Sequence, residues 1–338
     1  MSSVPVPARV RALRAAIAVA TIAGLSACHV PGTSAGGGSQ GGGQTITVAV
    51  VPGIDNAPLR VAEQDGLFRQ HGLTVHIRDE QTVSQVVSDL RKGHAQVAGG
   101  DYTGFFYLEE TGSMALHLIA DGYDAAQNML EILTLPTSGI TKPSQLVGKK
   151  VGTPEPAVSY PASQDTVGLP YNIETLAAQT VLESDNVSPS TIDWVPTQSS
   201  NLVSELRSRQ VSAILAPEPY VFQAESQLGA QVVLDACNGV TGGLPLSGYF
   251  SLASNHNTTA LDAFQAALLQ AQTDAGMGAP LQSILPAAAG VTAQDAALVT
   301  LGSFPTALSL GQVQRVVQLM FEAGMINSTL NMSKLAEP

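Results

Sequence analysis

The chain has 338 residues, 44% of them hydrophobic, which is enough for two domains with substantial cores. It carries 27 acidic against 15 basic side chains, and a surface this negative argues against nucleic acid as a partner. The two cysteines are far apart and show no spacing typical of a disulfide framework or a zinc site.

The first 27 residues have the organisation of a signal peptide. Three arginines precede an apolar stretch at 15–25, which is shorter than the roughly 20 residues needed to cross a bilayer. The stretch ends in Leu25-Ser26-Ala27-Cys28, which resembles a bacterial lipobox; an ordinary cleavage site with an incidental cysteine is the alternative. The resemblance implies that 1–27 is removed and that Cys28 is lipidated. Loss of three arginines and no acid would change the net charge from −12 to −15.

Residues 28–44 are predicted to tether the folded part to this anchor. Seven of the 16 residues after Cys28 are glycine, a composition typical of flexible coil. No other stretch of the sequence is apolar and long enough to cross a membrane, so the chain is not expected to form a pore. A lipid anchor and a flexible tether favour a folded domain outside the cytoplasm, at the membrane surface.

The folded part is predicted to open with a strand, a glycine-containing loop and a helix. Ile46 to Val51 is an apolar, β-branched run that ends at Pro52-Gly53. Asn56 can cap the next helix, whose first turn holds Pro58. Ligands of open α/β sheets bind beyond the carboxyl ends of the strands, so Asp55 and Asn56 are predicted at a binding edge.

The pattern then alternates between short apolar runs and amphipathic segments, which predicts βαβ units with a mostly parallel sheet. The further predicted strands are 73–77, 95–98, 116–120, 129–135, 149–153, 192–195, 211–216, 231–234 and 249–253. The further predicted helices are 82–92, 103–110, 173–184, 201–209, 258–277, 292–301 and 310–324.

The two halves of this pattern resemble each other. In the first half a helix, a short strand and then Asp101-Tyr102 follow in order; in the second half the same order ends in Glu218-Pro219-Tyr220. We interpret this as two α/β lobes, although βαβ units share such patterns generally. Lobe 1 is predicted to comprise 45–135 and 246–338, and lobe 2 to comprise 136–245, with a hinged cleft between them.

Motifs in the first lobe resemble a known family. The order Ala57-Pro58, Gly66-Leu67-Phe68 and His71-Gly72-Leu73 is similar to the opening of substrate-binding proteins of ABC importers. The similar branch handles nitrate, sulfonates, taurine and thiamine pyrimidine precursors. The resemblance covers about residues 45 to 270. It implies an α/β, two-lobed, periplasmic-binding-protein-like fold of type II, a monomer that closes on a small solute and delivers it to a membrane permease.

The predicted ligand-binding residues lie in or near the loops at the strand ends. They are Asp55, Asn56, Asp101, Tyr102, Glu155, Tyr160, Glu218 and Tyr249. These loops contain no Arg or Lys, and Pro154-Glu155-Pro156 stands where the family often has a Gly/Ser/Thr-rich loop whose N–H groups can hold an anion. Carboxylates and tyrosines instead favour a neutral or cationic nitrogenous ligand, such as an aminopyrimidine.

Several of these residues also have a structural explanation. Asp101 can simply cap the following helix, Glu155 can be a solvated loop residue, and Tyr160 and Tyr249 can be packing residues. The sequence has no HExxH, GxSxG or P-loop motif, so no enzyme, cofactor or metal site is predicted. A sulfonate, taurine or nitrate receptor, a surface sensor and a non-transport pyrimidine-related enzyme are the alternatives.

Overall fold

The computed structural model of the chain describes residues 43–156 and 172–337. The predicted signal peptide, Cys28, most of the tether and Tyr160 lie outside these ranges. Within them, no helix combines the length and apolarity that crossing a bilayer requires.

In the described residues ten strands form two sheets of five; the sequence predicts ten strands but divides them six and four between the lobes. The strands are β1 (Gln44–Val50), β2 (Leu73–Asp79), β3 (Val97–Asp101), β4 (Leu116–Asp124), β5 (Leu130–Thr134), β6 (Lys150–Pro154), β7 (Asp193–Thr197), β8 (Ala213–Pro217), β9 (Gln231–Asp235) and β10 (Pro245–Leu252).

The helices flank these sheets. They are α1 (Ala57–Gln64), α2 (Leu67–Gln70), α3 (Val83–Arg91), α4 (Tyr102–Glu110), α5 (Ile173–Ser184), α6 (Leu202–Arg207), α7 (Tyr220–Leu228), α8 (Thr258–Gly276), α9 (Ala279–Ala289), α10 (Leu310–Glu322) and α11 (Met332–Leu335).

The two sheets have the same topology. The strand order is β2-β1-β3-β10-β4 in the first and β7-β6-β8-β5-β9 in the second. Each has three parallel strands followed by one antiparallel strand. The antiparallel strand is in both cases the one that the chain supplies just after crossing from the other sheet. The predicted pair of similar α/β units is therefore present as a repeated sheet topology.

One predicted boundary is wrong. The sequence assigned 129–135 to lobe 1, but β5 pairs with β8 and β9 of the second sheet. All five residues of β5 are buried, and such an apolar run fits a central strand of either sheet. The crossing is instead made by 125–129, directly after β4, which runs to Asp124 rather than ending at 120.

The C-terminal region also differs from the prediction. The sequence predicted a helix at 292–301, where the structure has only a short 3-10 turn at Asp295–Ala297. The helix α9 lies earlier, between Gly278 and Gly290, and it tolerates Pro286 in its interior. Pro280 falls in the first turn of α9, where proline is tolerated; Pro286 argues against a helix on local grounds, and packing of α9 against α1 outweighs it.

An apolar core runs continuously beneath both sheets. In the first sheet, the rings of Tyr102, Phe105 and Phe106 surround Phe250 of β10. A smaller apolar cluster lies on the α6–α7 side of the second sheet, around Leu202, Leu206 and Ile214. Burial of these apolar side chains holds each sheet against its helices. The carboxyl ends of the two sheets face each other across a cavity.

Candidate ligand-binding site

A cavity of about 360 Å³ lies between the carboxyl ends of the two sheets. The loops after β1 and β3 line one wall, and the segments after β6 and β8 line the other, together with the start of α5. Its polar and aromatic lining residues are Asp55, Asp101, Tyr123, Glu155, Asn172, Glu174, Ser199, Glu218, Tyr220 and Ser247. The predicted meeting of two strand-end loops is thus present.

Asp55 lines this cavity, as the sequence predicts. It is half-buried in the short turn after β1, and burial raises the pKa of its carboxyl to about 6, against a hydrogen bond from Ser247 that lowers it. A Cβ atom on Gly53 would lie 2.5 Å from Asp55 Oδ1, so a larger residue at that position would displace this carboxyl. Burial and a close-fitting backbone therefore hold this carboxyl at the cavity wall.

Asn56 does not line the cavity. Its side chain is buried and donates to Val51 O at 2.6 Å and to Asp55 Oδ1 at 3.2 Å. The residue stands at the N-cap of α1, but its side chain makes no capping hydrogen bond. Asn56 therefore shapes the loop that presents Asp55, which corrects its predicted place at the edge.

Asp101 both caps a helix and faces the cavity. Its Oδ1 accepts the backbone N–H of Thr103 at 2.6 Å, which caps α4, and its Oδ2 accepts the N–H of Ile173 at 3.2 Å. Burial raises the pKa of Asp101 to about 6, and Asp55 raises it further. The capping explanation from sequence is therefore confirmed, and because the same carboxyl lines the cavity, its contact with a ligand stays a prediction.

Glu174 is a cavity residue that sequence reasoning missed. It lies in the first turn of α5, whose N-cap Asn172 accepts the N–H of Thr175 at 2.6 Å. Burial raises the pKa of Glu174 to about 8, and the charges of Asp101 and Asp55 raise it as well. The available signal was an acid in the first turn of a predicted helix that starts next to a predicted binding loop.

The second wall contributes two predicted carboxyls. Glu155 is exposed at the cavity lining, immediately after β6. Glu218 is partly buried; its Oε2 accepts the N–H of Phe222 at 3.1 Å and its Oε1 that of Thr300 at 2.9 Å. Burial raises the pKa of Glu218, and these two N–H groups oppose that shift.

The tyrosines correct the prediction most strongly. Tyr102 is fully buried and donates to Asp121 Oδ1 at 2.5 Å, away from the cavity. Tyr249 is also buried, with its ring edge-on to Phe264, and is not a lining residue. Tyr123 and Tyr220 line the cavity instead. Tyr160 lies outside the described residues, so its predicted contact stays a prediction.

The ionisable side chains that line the cavity include carboxyl groups but no basic group among the described residues. Its five carboxyl side chains are Asp55, Asp101, Glu155, Glu174 and Glu218, and no lining residue within the described ranges is Arg, Lys or His. In the same ranges, no group of three or more His, Cys, Asp or Glu residues is arranged to hold a metal ion. The cavity can therefore offer acceptors and negative charge, with few fixed side-chain donors.

Comparison with known proteins gives a family and a fold. The NMT1-like family matches residues 39–237, more than half of the chain. Among proteins of curated function, none matches the chain in sequence.

Solved structures with the same fold include binding proteins and an enzyme. The alkanesulfonate-binding protein SsuA from Xanthomonas axonopodis pv. citri, bound to MOPS, is 14% identical with a TM-score of 0.66, over 86% of this chain and 97% of that one. The ligand-binding component of an ABC-type import system from Staphylococcus aureus, with zinc bound, is 11% identical with a TM-score of 0.68, over 87% and 97%. The desulfurization enzyme DSZB is 14% identical with a TM-score of 0.64, over 87% and 96%.

At these identities the neighbours establish architecture alone, because one fold hosts many functions. The match over residues 39–237 and the two similar sheets agree with the resemblance found in the sequence. The chain belongs to the NMT1-like family and has the two-lobed α/β fold of periplasmic binding proteins.

Proposed function

We propose that this chain is the extracytoplasmic solute-binding lipoprotein of an ABC importer, and that its cavity binds a small neutral or cationic nitrogenous solute, such as an aminopyrimidine. The observation that carries the proposal is the cavity lining, which has five carboxyl groups and no positively charged side chain among the described residues.

The electrostatics support this class of ligand over an anion. Desolvating a sulfonate or nitrate requires compensation by cations or free N–H donors, and the lining offers carboxylates. The N–H of Ile173, at the start of α5, already donates to Asp101. A ligand with amino groups would supply the donors, and a cationic ligand also the charge, that these carboxylates lack.

The volume of the cavity and its aromatic lining also favour a small nitrogenous ligand. The cavity volume of about 360 Å³ is near the low end of the range of about 300–1,000 Å³ for small-molecule sites. Tyr220 and Tyr123 line it and offer aromatic surface, on which a flat heterocycle can stack or a cation can rest. A single heterocyclic ring fits this description better than a long or branched solute.

Transport rests on the family and on the predicted N-terminal region. The membership in the NMT1-like family and the shared fold with an ABC-import component support a receptor that hands its solute to a permease. The predicted lipid on Cys28 and the glycine-rich tether would keep the folded part beside the membrane. We propose that the protein works as a monomer.

Binding measurements test the ligand class. We expect an aminopyrimidine to raise the melting temperature and to bind more tightly in calorimetry than taurine or nitrate, because a true ligand stabilises the folded state by mass action. Asp55→Asn should weaken this binding, while Asp185→Asn, an exposed acid at the end of α5, should not. Tighter binding of taurine or nitrate would support the anion-receptor alternative and overturn the proposal.

Turnover separates the receptor from an enzyme of the same fold. Cys237 is the one cysteine in the described part of the chain, and burial raises the pKa of its thiol well above the ordinary value, which disfavours a reactive thiolate. We expect solutes to be recovered unchanged after incubation with the protein. Chemical conversion of a bound solute, checked by mass spectrometry, would favour the enzyme alternative.

A further inference from the structure

Two cavity carboxylates each form a hydrogen bond from one sheet to the other. Asp101 is the last residue of β3 in the first sheet, and its Oδ2 accepts the N–H of Ile173, which begins α5 on the second sheet. Glu218 follows β8 of the second sheet, and its Oε1 accepts the N–H of Thr300 in the C-terminal region. Both bonds pair a carboxylate that lines the cavity with a backbone donor from a segment of the other sheet.

The Thr300 segment belongs to the first sheet. Ser303 forms an isolated β-bridge with Asp124 at the end of β4, with N–O distances of 2.8 and 3.0 Å. Gly302 donates its N–H to Tyr123 Oη at 2.6 Å. A Cβ atom on Gly302 would lie 2.2 Å from Asp124 O, so this close approach requires glycine. The donor that Glu218 uses is therefore fixed to the opposite sheet.

The two carboxylates occupy equivalent places and divide their oxygens in the same way. Each lies at the carboxyl end of the third parallel strand of its own sheet, Asp101 as the last residue of β3 and Glu218 directly after β8. One oxygen of each binds locally, Asp101 Oδ1 to the N–H of Thr103 and Glu218 Oε2 to that of Phe222. The other oxygen accepts an N–H from a segment of the other sheet, and in Asp101 that oxygen also accepts the hydroxyl of Thr103 at 2.9 Å. The local hydrogen bond holds the side chain to its own sheet, so the second hydrogen bond links that sheet to the other one.

We propose that Asp101 and Glu218 are a reciprocal pair of positioning residues, which hold the carboxyl edges of the two sheets together and so set how readily the cavity opens. Hydrogen bonds to charged acceptors are among the stronger ones in proteins, and a donor that loses its partner in a buried place is costly. Because the pair needs no solute, this proposal stands or falls separately from the function proposed above.

Hydrogen exchange of the two donor amides tests the pair directly. The full chain is exchanged without added solute at pH 7.5, and single amides are resolved by mass spectrometry with electron-transfer fragmentation. In Asp101→Ala we expect the amide of Ile173 to exchange about ten- to a hundredfold faster, and the amide of Thr300, at the other bond, to exchange faster as well. Asp101→Asn keeps one acceptor oxygen for the two N–H groups of Thr103 and Ile173, so it should protect one of these amides and not both.

Glu218→Ala gives the same test from the other wall and serves if Asp101→Ala fails to fold. Here the amide of Thr300 should lose protection first, and that of Ile173 should follow. Glu218→Gln should protect one of the amides of Phe222 and Thr300 and not both, because its side chain has a single acceptor oxygen for the two N–H groups.

A matched control removes a carboxylate–amide bond inside one sheet. Glu109 Oε2 accepts the N–H of Leu116 at 2.6 Å, and both residues belong to the first sheet and its helices. Glu109→Ala should expose the amide of Leu116 and leave those of Ile173 and Thr300 unchanged. If Asp101→Ala speeds exchange only at Thr103 and Ile173 while Thr300 keeps its protection, the two bonds are independent and the proposal is wrong.

Discussion

The two sheets have the same topology at the carboxyl edges that border the cavity, but the tyrosines at these edges lie in different environments. In the first sheet Asp101 ends the third parallel strand and Tyr102 comes next, whereas in the second Glu218 follows the strand and Pro219 separates it from Tyr220. In the first sheet Tyr102 turns into the core, whereas in the second Tyr220 lines the cavity. Equivalent positions in a repeated topology therefore do not guarantee equivalent roles for their side chains.

The antiparallel strand explains this difference. In the first sheet β10 contains Gly248, and a Cβ atom there would lie 2.7 Å from Tyr102 Oη, so the absent side chain makes room for the ring. Asp121 of β4 then accepts the buried hydroxyl. In the second sheet β5 has the sequence LEILT, which contains no glycine. The residue on the neighbouring strand thus determines whether the tyrosine ring is buried in the core or lines the cavity.

The acids, by contrast, behave alike at the two edges. Asp101 and Glu218 both keep one oxygen on a local backbone N–H and extend the other to the facing sheet. A short acidic side chain needs little space and finds N–H groups wherever a helix or turn begins, so local topology is enough to place it. The position of the bulky aromatic ring depends on the neighbouring strand, whereas the position of the carboxylate does not.

The largest expected effect separates the two tyrosines. Tyr102→Ala should lower the free energy of unfolding by about 3–5 kcal/mol, because it empties a fully buried ring site. Tyr220→Ala should lower it by about 1 kcal/mol or less and should weaken solute binding instead. Urea unfolding and calorimetry measure the two quantities. Equal losses of stability in both variants would contradict the assignment of Tyr102 to the core and Tyr220 to the cavity.

A second variant tests the space that β10 provides. Gly248→Ala should destabilise the protein by about 1–3 kcal/mol, because the added methyl meets the Tyr102 ring and hydroxyl. In the Tyr102→Ala background the same change should cost much less, since the clash is gone. Urea unfolding of the four proteins completes the double-mutant cycle, and additive effects would show that the ring is not what Gly248 accommodates.

The cavity carboxyl at the start of α5 predicts a pH dependence. Burial and neighbouring charges raise the pKa of Glu174 from 4.5 to about 8, so the folded state holds this proton more tightly than the unfolded state does. Its contribution to stability is therefore present below about pH 4.5 and is lost as the pH rises toward 8. Glu174→Gln should remove this slope and raise stability at pH 8 by on the order of 1 kcal/mol.

Melting temperatures across pH 4 to 9 measure this effect. Asp185→Asn is the control, because Asp185 is an exposed acid at the other end of the same helix. If the wild type and Glu174→Gln lose stability in parallel between pH 5 and 8, Glu174 is not the residue responsible.

The smallest expected effect on stability concerns Glu218. Glu218→Ala should weaken solute binding and leave the melting temperature within a few degrees of wild type, since the side chain is only partly buried. Calorimetry and a thermal melt of the same sample measure both. Unchanged affinity with a normal melting curve would argue against any role of Glu218 in binding.

The sequence by itself determined the class of fold, the repeat of two α/β units and the order of almost all elements. It did so because short β-branched runs and amphipathic segments carry their own periodicity. Helix α5 begins and ends where its cap residue and apolar stripe predict, at Ile173 and Ser184. The carboxyls of Asp55, Asp101, Glu155 and Glu218 were found for a similar reason, because each follows a strand end that composition marks clearly.

Only the tertiary structure decided which sheet β5 joins, where Tyr102 and Tyr249 lie, and that Glu174 faces the cavity. These outcomes depend on partners distant in sequence, such as Gly248 opposite Tyr102 and Asp101 opposite Ile173. An apolar run is compatible with either sheet, and a tyrosine with either core or cavity. Contacts between distant residues, rather than local propensity, choose between these alternatives.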